Sequence, residues 1–130
     1  MGVQKYLIDS NTVIDYLNGK LPFNGNSFVN SIVDEEPKIS VITKIEVLGF
    51  NLQSGEDYQI VVDFINDNMV YNLDESIINK TIELRKKYKI KLPDAIIAAT
   101  ALCNDLAIVS RNTDDFKKIK ELKIINPFEL

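Results

Sequence analysis

The chain has 130 residues, 45% of them hydrophobic, and its 19 acidic and 15 basic side chains give a formal net charge of −4. This length and composition predict a single globular domain, residues 1–130, with enough apolar residues to bury a core. Histidine is absent, which excludes Ser-His and Cys-His triads, histidine general bases and histidine-ligated zinc sites. Catalysis must therefore use other groups, and the abundant carboxylates prefer hard cations such as Mg²⁺ and Mn²⁺.

The N-terminus, MGVQKYLID, lacks the basic flank and the long apolar core of a secretory signal. The chain also has no run of about 18 apolar residues that would cross a membrane. Its single cysteine, Cys103, cannot form an internal disulfide and lies in an apolar stretch, so we predict a small core residue there. We therefore expect a cytoplasmic protein that does not associate with membranes.

The first half of the chain alternates short apolar runs with helical patterns. Residues 5–8 are predicted to form a strand, and SNTVIDYLNG follows as a helix that ends at Gly19. A loop is predicted over LPFNGNS, followed by a short helix over residues 27–33. A strand at residues 38–41 then leads into the helix TKIEVLGF, for which Thr43 is the predicted cap.

The middle of the chain is predicted to contain two helices separated by a short strand. The first helix covers residues 56–66, and the strand covers residues 70–72. The second helix begins at Asp74 and leads to the basic segment RKKYKIK, where cations interact favourably with the helix dipole. We interpret this basic segment as a solvated helix end.

The last part of the chain contains the most apolar helix. Pro93 suits the first helical position, and AIIAATALC is apolar nearly all round, so this helix is predicted to be central. A buried strand at residues 106–109, a short helix over DDFKKIKEL and a last strand at residues 123–126 follow. Alternating strands and helices predict a three-layer α/β/α fold, with a mainly parallel central sheet of about four to five strands.

Acidic residues recur where these elements join. Asp9 and the segment from Asn112 to Asp115 follow strands, whereas Glu46 and Asp94 are predicted to open helices. Each is explained singly by helix capping, including a T-x-x-E capping box that ends at Glu46 and an Asn112 cap. In open α/β sheets, however, ligands bind at the carboxyl edge, and clustered carboxylates are tolerated when a cation neutralises them. Together the acids predict one metal site.

Four segments carry a family resemblance. LIDSNTVIDYL with Asp9, ISVITKIEVL with Glu46, KLPDAIIAATAL with Asp94 and AIVSRNTDDF with Asn112 resemble, in this order, the motifs of PIN-domain proteins. They resemble in particular the VapC-type toxin ribonucleases of type II toxin–antitoxin systems, and the resemblance spans almost the whole chain. The resemblance implies a PIN-like fold and a Mg²⁺- or Mn²⁺-dependent endoribonuclease that acts on RNA. It also implies a homodimer and a cognate antitoxin.

The resemblance also assigns roles to individual residues. Many family members have Asp where this chain has Asn112, and two neighbouring acids are close enough in sequence to substitute for it. A bound cation would activate water for attack on the phosphodiester. The implied catalytic residues are Asp9, Glu46, Asp94 and Asn112. The implied metal ligands are Asp9, Asp94, Glu46, Asp114 and Asp115. The candidates for substrate binding, which equally suit caps and turns, are Ser10, Asn11, Ser110 and Arg111.

Three alternatives remain. Asn112 and the net negative charge favour a catalytically silent PIN-like module that binds RNA or protein without cutting. A receiver-type phosphoacceptor domain is also a parallel α/β fold with an acidic pocket, but it usually carries paired acids after its first strand. Here Ser10, Asn11 and Thr12 follow Asp9. A structure-specific DNA nuclease normally needs extra elements to grip duplex DNA, for which this chain has little room.

Overall fold

The computed structural model describes residues 3–50 and 55–130. Met1 and Gly2, the first residues of the N-terminal segment MGVQKYLID, lie outside these ranges. Within these ranges no helix combines the length and apolarity needed to cross a membrane. Strands and helices alternate along the chain, as predicted. In order they are β1 (Lys5–Ile8), α1 (Ser10–Leu17), α2 (Phe23–Glu35), β2 (Lys38–Ser40), α3 (Val41–Leu48), α4 (Gly55–Asn66), β3 (Met69–Tyr71), α5 (Glu75–Lys87), α6 (Leu92–Cys103), β4 (Leu106–Val109), α7 (Thr113–Phe116) and β5 (Ile124–Ile125).

Every strand pair in the described ranges is parallel. β4 lies between β1 and β5, with Ile8 opposite Val109 and Val109 opposite Ile125. A second ladder pairs β2 with β3, and β1 contacts β2, so the two ladders lie side by side. The predicted parallel α/β/α fold is therefore confirmed, with its strands divided between two hydrogen-bonded ladders.

The strands separate two apolar cores, because neighbouring side chains of a strand point to opposite faces. Leu7 of β1 and Ile108 of β4 pack with residues of α5, α6 and α7. Ile8 and Val109, the next residue of each strand, pack with residues of α1, α2, α3 and α4. Helices thus cover both faces, which explains why these strands are apolar throughout. The double packing also fixes the carboxyl ends of β1 and β4 relative to each other.

α6 is the central helix that its composition predicts, since residues 95–101 are all buried. The helix begins at Leu92, so Pro93 occupies the second helical position and not the first. Proline is tolerated there because the first backbone N–H groups of a helix have no intrahelical acceptor. This packing holds Asp94 in the first turn of a helix that is buried along most of its length.

α2 is longer than predicted. It begins at Phe23, so the loop predicted over LPFNGNS is largely helical and the predicted start at residue 27 is wrong. Gly25 accounts for the difference: it is buried, and a Cβ atom at this position would lie 1.9 Å from the carbonyl oxygen of Pro127. The glycine therefore permits close approach of the C-terminal segment, and it does not mark a turn.

Ser40, and not Thr43, caps α3. The Ser40 hydroxyl accepts a hydrogen bond from the Ile42 backbone N–H at 3.0 Å. The predicted capping box of Thr43 and Glu46 is therefore wrong, and Glu46 lies inside the helix instead of opening it. Thr43 is buried, with its hydroxyl 3.1 Å from the Ser10 hydroxyl. Glu46 is thus free of any capping role.

The end of the chain differs from prediction at two places. α7 ends at Phe116, so the helix predicted over DDFKKIKEL is wrong beyond that residue. Phe116, Ile119 and Leu122 are buried, and backbone N–H groups bond three residues back in the turns that follow α7. Apolar residues spaced by three are therefore buried by tight turns.

Cys103 is exposed and not part of the core, because α6 ends there. Its Sγ lies 3.6 Å from the Ser76 carbonyl oxygen.

Candidate active site

Asp9 follows β1 and is the N-cap of α1, with only 4% of its surface exposed. Its Oδ1 accepts a hydrogen bond from the Ser10 backbone N–H at 2.9 Å. Its Oδ2 accepts hydrogen bonds from the Ser110 hydroxyl at 2.7 Å and from Asn11 Nδ2 at 3.1 Å. Burial raises the pKa of Asp9, and these hydrogen bonds oppose the rise because they favour the ionised form. The carboxylate is therefore held in one orientation.

Ser110 follows β4 as Asp9 follows β1, so the parallel register places them side by side. The Ser110 hydroxyl is fully buried and donates to Asp9. It accepts hydrogen bonds from the Asn112 backbone N–H at 2.9 Å and from Asn11 Nδ2 at 3.3 Å. Ser110 and Asn11, both predicted to contact substrate, are thus engaged in orienting the Asp9 carboxylate.

Glu46 reaches the same place from α3. Its side chain is exposed, and its Oε1 accepts a hydrogen bond from the Ser10 hydroxyl at 2.6 Å. The Thr43 hydroxyl, also on α3, lies 3.1 Å from the same Ser10 hydroxyl. Because Ser10 directly follows Asp9, this contact brings Glu46 to the start of α1. The structure therefore unites two motifs that are far apart in the sequence.

Asp94 is partly buried in the first turn of α6. Desolvation raises the pKa of Asp94 to about 6, the negative charges of Asp9, Asp115 and Glu46 add to the rise, and Lys91 opposes it. Coulomb interactions weaken with distance, so these charges lie around Asp94. The charges of Asp9, Glu46 and Asp115, which come from separate parts of the fold, therefore all act on Asp94. Lys91, which belongs to the basic segment predicted to be a solvated helix end, lowers the pKa of Asp94.

The segment from Asn112 to Asp115 offers three candidates for the fourth position. Asn112 is the N-cap residue of α7, but its side chain makes no capping hydrogen bond. The side chain of Asp114 is 89% exposed and pairs with Lys117 at 3.2 Å. Asp115 is half-exposed, lies 4.0 Å from Lys118 and adds to the negative potential at Asp94. This placement favours Asp115 over Asp114 as the acid that joins Asn112.

Arg111, a predicted substrate-binding residue, forms an ion pair that the sequence did not suggest. Its Nε lies 2.8 Å from Oδ2 of Asp15, which is only 7% exposed. An acid inside an amphipathic helix normally faces solvent, and the two residues are 96 positions apart, so no local pattern marks this pair. The pair lies beside the acidic cluster, since Arg111 directly follows Ser110.

The donor chemistry of the cluster fits a hard divalent cation, because carboxylate and amide oxygens are the ligands such ions prefer. Burial is the main cause of the raised pKa of Asp94, and the charges of Asp9, Asp115 and Glu46 add to it, so a bound cation would offset part of the rise. In residues 3–50 and 55–130, no three acidic, cysteine or histidine side chains stand close enough to hold a metal ion as they are placed. Hydroxyl groups donate to Asp9 and Glu46, and a side chain must move before three of these acids can share one ion. The exposed Glu46 has the room to do so.

Comparison with known proteins identifies the family of the chain. The PIN domain family model matches residues 6–122, whereas no curated protein matches the chain significantly. A chain in a toxin–antitoxin complex from Klebsiella pneumoniae has 29% identity and a TM-score of 0.78, over 97% of this chain and 100% of that one.

Two further solved structures have the same fold at lower identity. They are DNA-bound VapBC from Salmonella typhimurium, with 23% identity and a TM-score of 0.82 over 96% and 99% of the two chains, and VapBC2 from Rickettsia felis bound to a DNA fragment of its promoter, with 20% identity and a TM-score of 0.80 over 95% and 98%. The receiver-type alternative is therefore wrong. The family model covers nearly the whole chain and all four acidic motifs, and the chain belongs to the PIN-domain family.

Proposed function

We propose that this chain is a single-domain, VapC-like toxin that hydrolyses RNA phosphodiester bonds as a Mg²⁺- or Mn²⁺-dependent endoribonuclease. The observation that carries the proposal is the convergence of the acidic motifs: Ser10 bonds to both Asp9 and Glu46, and the charges of Asp9, Glu46 and Asp115 act on Asp94. Membership of the PIN family supports nuclease chemistry. The toxin role is supported by the Klebsiella pneumoniae chain, which is 29% identical and belongs to a toxin–antitoxin complex.

Asp9 and Asp94 would hold the principal cation, with Glu46 as a direct ligand or a partner through water. Asn112 and Asp115 would serve a second cation or its water, and the outward-facing Asp114 has the weaker claim. The bound cation would supply an activated water and would offset negative charge on the phosphate.

The protein's own part in this scheme is orientation. Ser110 and Asn11 hold the Asp9 carboxylate, and Ser10 holds Glu46, through hydrogen bonds. We assign these three residues to the support of ligands, because their polar groups are already bound to the acids. Fixed carboxylates bind a cation with less loss of conformational entropy, and partners of this kind orient metal ligands in general.

RNA must approach an acidic centre on a chain with a net charge of −4. Positive charge beside the cluster comes from Lys91, which lowers the pKa of Asp94, and from the half-exposed Arg111. Contacts from Lys and Arg to phosphates supply most of the sequence-independent affinity for nucleic acid. Arg111 is therefore the proposed phosphate contact.

The proposed partners are a cognate antitoxin and a second copy of this chain. Their support is the set of similar solved structures, which include a toxin–antitoxin complex and two VapBC complexes. RNA as substrate places the proposed activity in the cytoplasm. A small DNA-binding protein encoded immediately upstream would support the toxin role.

The test is cleavage of a structured RNA by the purified protein with Mn²⁺, with Asp94→Asn as the matched control. This substitution keeps the side-chain size and removes one charge. We expect wild-type cleavage that EDTA abolishes, and a rate loss on the order of 100-fold or more in the variant, which corresponds to about 3 kcal/mol of barrier. Undiminished cleavage by the variant would exclude this site. RNA binding without cleavage by the folded wild type would favour the catalytically silent module.

A further inference from the structure

Asp15 is a buried carboxylate that is not among the proposed metal ligands. It lies on α1, one turn beyond Asn11, and is 7% exposed. Burial of a charge is costly unless an opposite charge and hydrogen bonds compensate it. Arg111 provides both, through the 2.8 Å contact between its Nε and Asp15 Oδ2. The carboxylate is thus buried, while its partner reaches it from the surface.

The ion pair leaves most of the guanidinium available. The Arg111 side chain is 54% exposed, whereas that of Asp15 is 10% exposed. A guanidinium carries five N–H donors, and the contact with Asp15 uses the one on Nε. In the part of the chain that the structure describes, neither Nη group of Arg111 donates a hydrogen bond. The two Nη groups form a half-exposed fork of N–H donors, and such a fork can bind two oxygens of one phosphate at once.

The pair also places this fork beside the acidic cluster. The Arg111 backbone N–H lies 3.4 Å from Asn11 Oδ1, and Asn11 donates to Asp9. Asn11 and Asp15 are four residues apart on one helix face, a rise of about 6 Å. The Arg111 side chain therefore runs along α1 from Asn11 to Asp15, and its Nε bonds to Asp15 and not to a carboxylate of the cluster.

We propose that Asp15 is a positioning residue that holds Arg111 through Nε, so that its Nη groups bind an RNA phosphate next to the one being cleaved. The inference rests on the proposed ribonuclease function. Without Asp15, the long arginine side chain would be free to turn towards the nearby acids and neutralise them. It would also lose more side-chain entropy on binding RNA. Asp15 prevents both effects, because its own carboxylate is fixed by burial in α1.

A contact to a neighbouring phosphate strengthens binding without taking part in bond cleavage, so its loss raises KM more than it lowers kcat. The experiment measures both constants on a labelled single-stranded RNA for wild type, Asp15→Asn, Arg111→Gln and the double variant. We expect Asp15→Asn to raise KM roughly fivefold. Arg111→Gln should raise KM further and reduce the salt slope of log affinity by about 0.7 to 1. The double variant should match Arg111→Gln alone.

Arg111→Lys is the matched control, because it keeps a positive charge opposite Asp15 and lacks the paired donors. It should fold like wild type and raise KM, which keeps the inference testable if Asp15→Asn is unstable. Thermal unfolding of each variant separates the two roles, since a merely structural pair would lower Tm and leave KM unchanged. That result would overturn the inference. An equal effect of Asp15→Asn with and without Arg111 would overturn it as well.

Binding measured in the Asp94→Asn background separates this inference from the nuclease proposal. Fluorescence anisotropy of a labelled RNA across a KCl series needs no cleavage. The inference is supported if Asp15→Asn weakens binding and reduces the salt slope in this background only when Arg111 is present. Equal affinity and slope in all variants would overturn it. If the wild type cuts no RNA but the binding difference persists, only the nuclease function fails.

Discussion

The two sides of the acidic cluster are built differently. On one side, Asp9 is buried at the end of β1 and its carboxylate accepts hydrogen bonds from Ser10, Asn11 and Ser110. On the other side, Asp94 begins a helix, is partly exposed, and forms no side-chain hydrogen bond with a residue that the structure describes. Hydrogen bonds fix the first carboxylate, whereas the second has no such bond to a described residue. The Asp9 side therefore orients the ligand set, whereas the Asp94 side can adjust its side chain to a bound ion.

The largest expected effects are those of Asp9→Ala and Asp94→Ala, which should differ in stability but not in activity. Both variants should lose cleavage by about 100-fold or more, because each removes a proposed metal ligand. Only Asp9→Ala should also lower the free energy of unfolding, by about 2 to 3 kcal/mol, since it removes a helix cap and leaves the buried Ser110 hydroxyl without its acceptor. Urea denaturation measures this contrast. Equal destabilisation by the two variants would show that the two sides are not built differently.

Ser110→Ala compared with Ser10→Ala tests whether orientation matters more on the buried side. The Ser110 variant should lose about 10- to 100-fold in Mn²⁺ affinity or activity, the usual effect of removing a group that orients a ligand. The Ser10 variant should lose less, because Glu46 is exposed and can reach a cation without that hydrogen bond. Isothermal titration with Mn²⁺ measures both affinities. The comparison breaks down if Ser10→Ala has the larger effect.

Asp115→Asn and Asp114→Asn examine the fourth position with matched changes of one charge on neighbouring residues. Asp115 acts on Asp94, whereas Asp114 faces solvent and pairs with Lys117. We expect roughly a tenfold loss of cleavage for Asp115→Asn and less than about a twofold change for Asp114→Asn. Initial rates at saturating Mn²⁺ provide the measurement. The reverse order would assign the fourth position to Asp114.

The smallest expected effect is a pH dependence of stability in metal-free protein. The folded pKa of Asp94 is raised from 3.8 to about 6, so its protonated form is favoured on folding. The stabilisation is therefore complete below about pH 4 and is lost as the pH rises to about 6. Asp94→Asn should remove this loss, with a gain at pH 7 of about 1 kcal/mol after solvent screening of a partly exposed group.

Urea midpoints from pH 3.5 to 7.5 measure this difference between wild type and Asp94→Asn. Burial also raises the pKa of Asp9, so part of the wild-type slope should remain in the variant. Added Mg²⁺ should stabilise the wild type more than the variant at pH 7, because a bound cation replaces the proton as the neutralising charge. A flat difference between the two proteins across this range would contradict a raised pKa at Asp94.

Local patterns determined most of the fold. Sequence predicts the strands at residues 5–8 and 106–109 and the apolar helix that contains Asp94, and the structure has all three. Each contains a run of neighbouring apolar residues, so a local pattern is enough to indicate burial. The order of the four motifs indicated the family, which the PIN match confirms. The sequence also predicts that Asp9 and the segment from Asn112 to Asp115 lie near each other, since both follow parallel strands, whose carboxyl ends lie at one edge.

Tertiary structure decided the features whose causes lie far away in the chain. Gly25 allows the backbone of Pro127 to pack closely against it, and the Asp15–Arg111 pair joins residues 96 positions apart. Ser40 and Thr43 offer the same capping chemistry, and only the packing of α3 selects the first. Sequence names the acids on each element because composition and periodicity are local. Their orientation, including which carboxylate is fixed and which remains adaptable, depends on packing between elements, and so it is decided only in the folded protein.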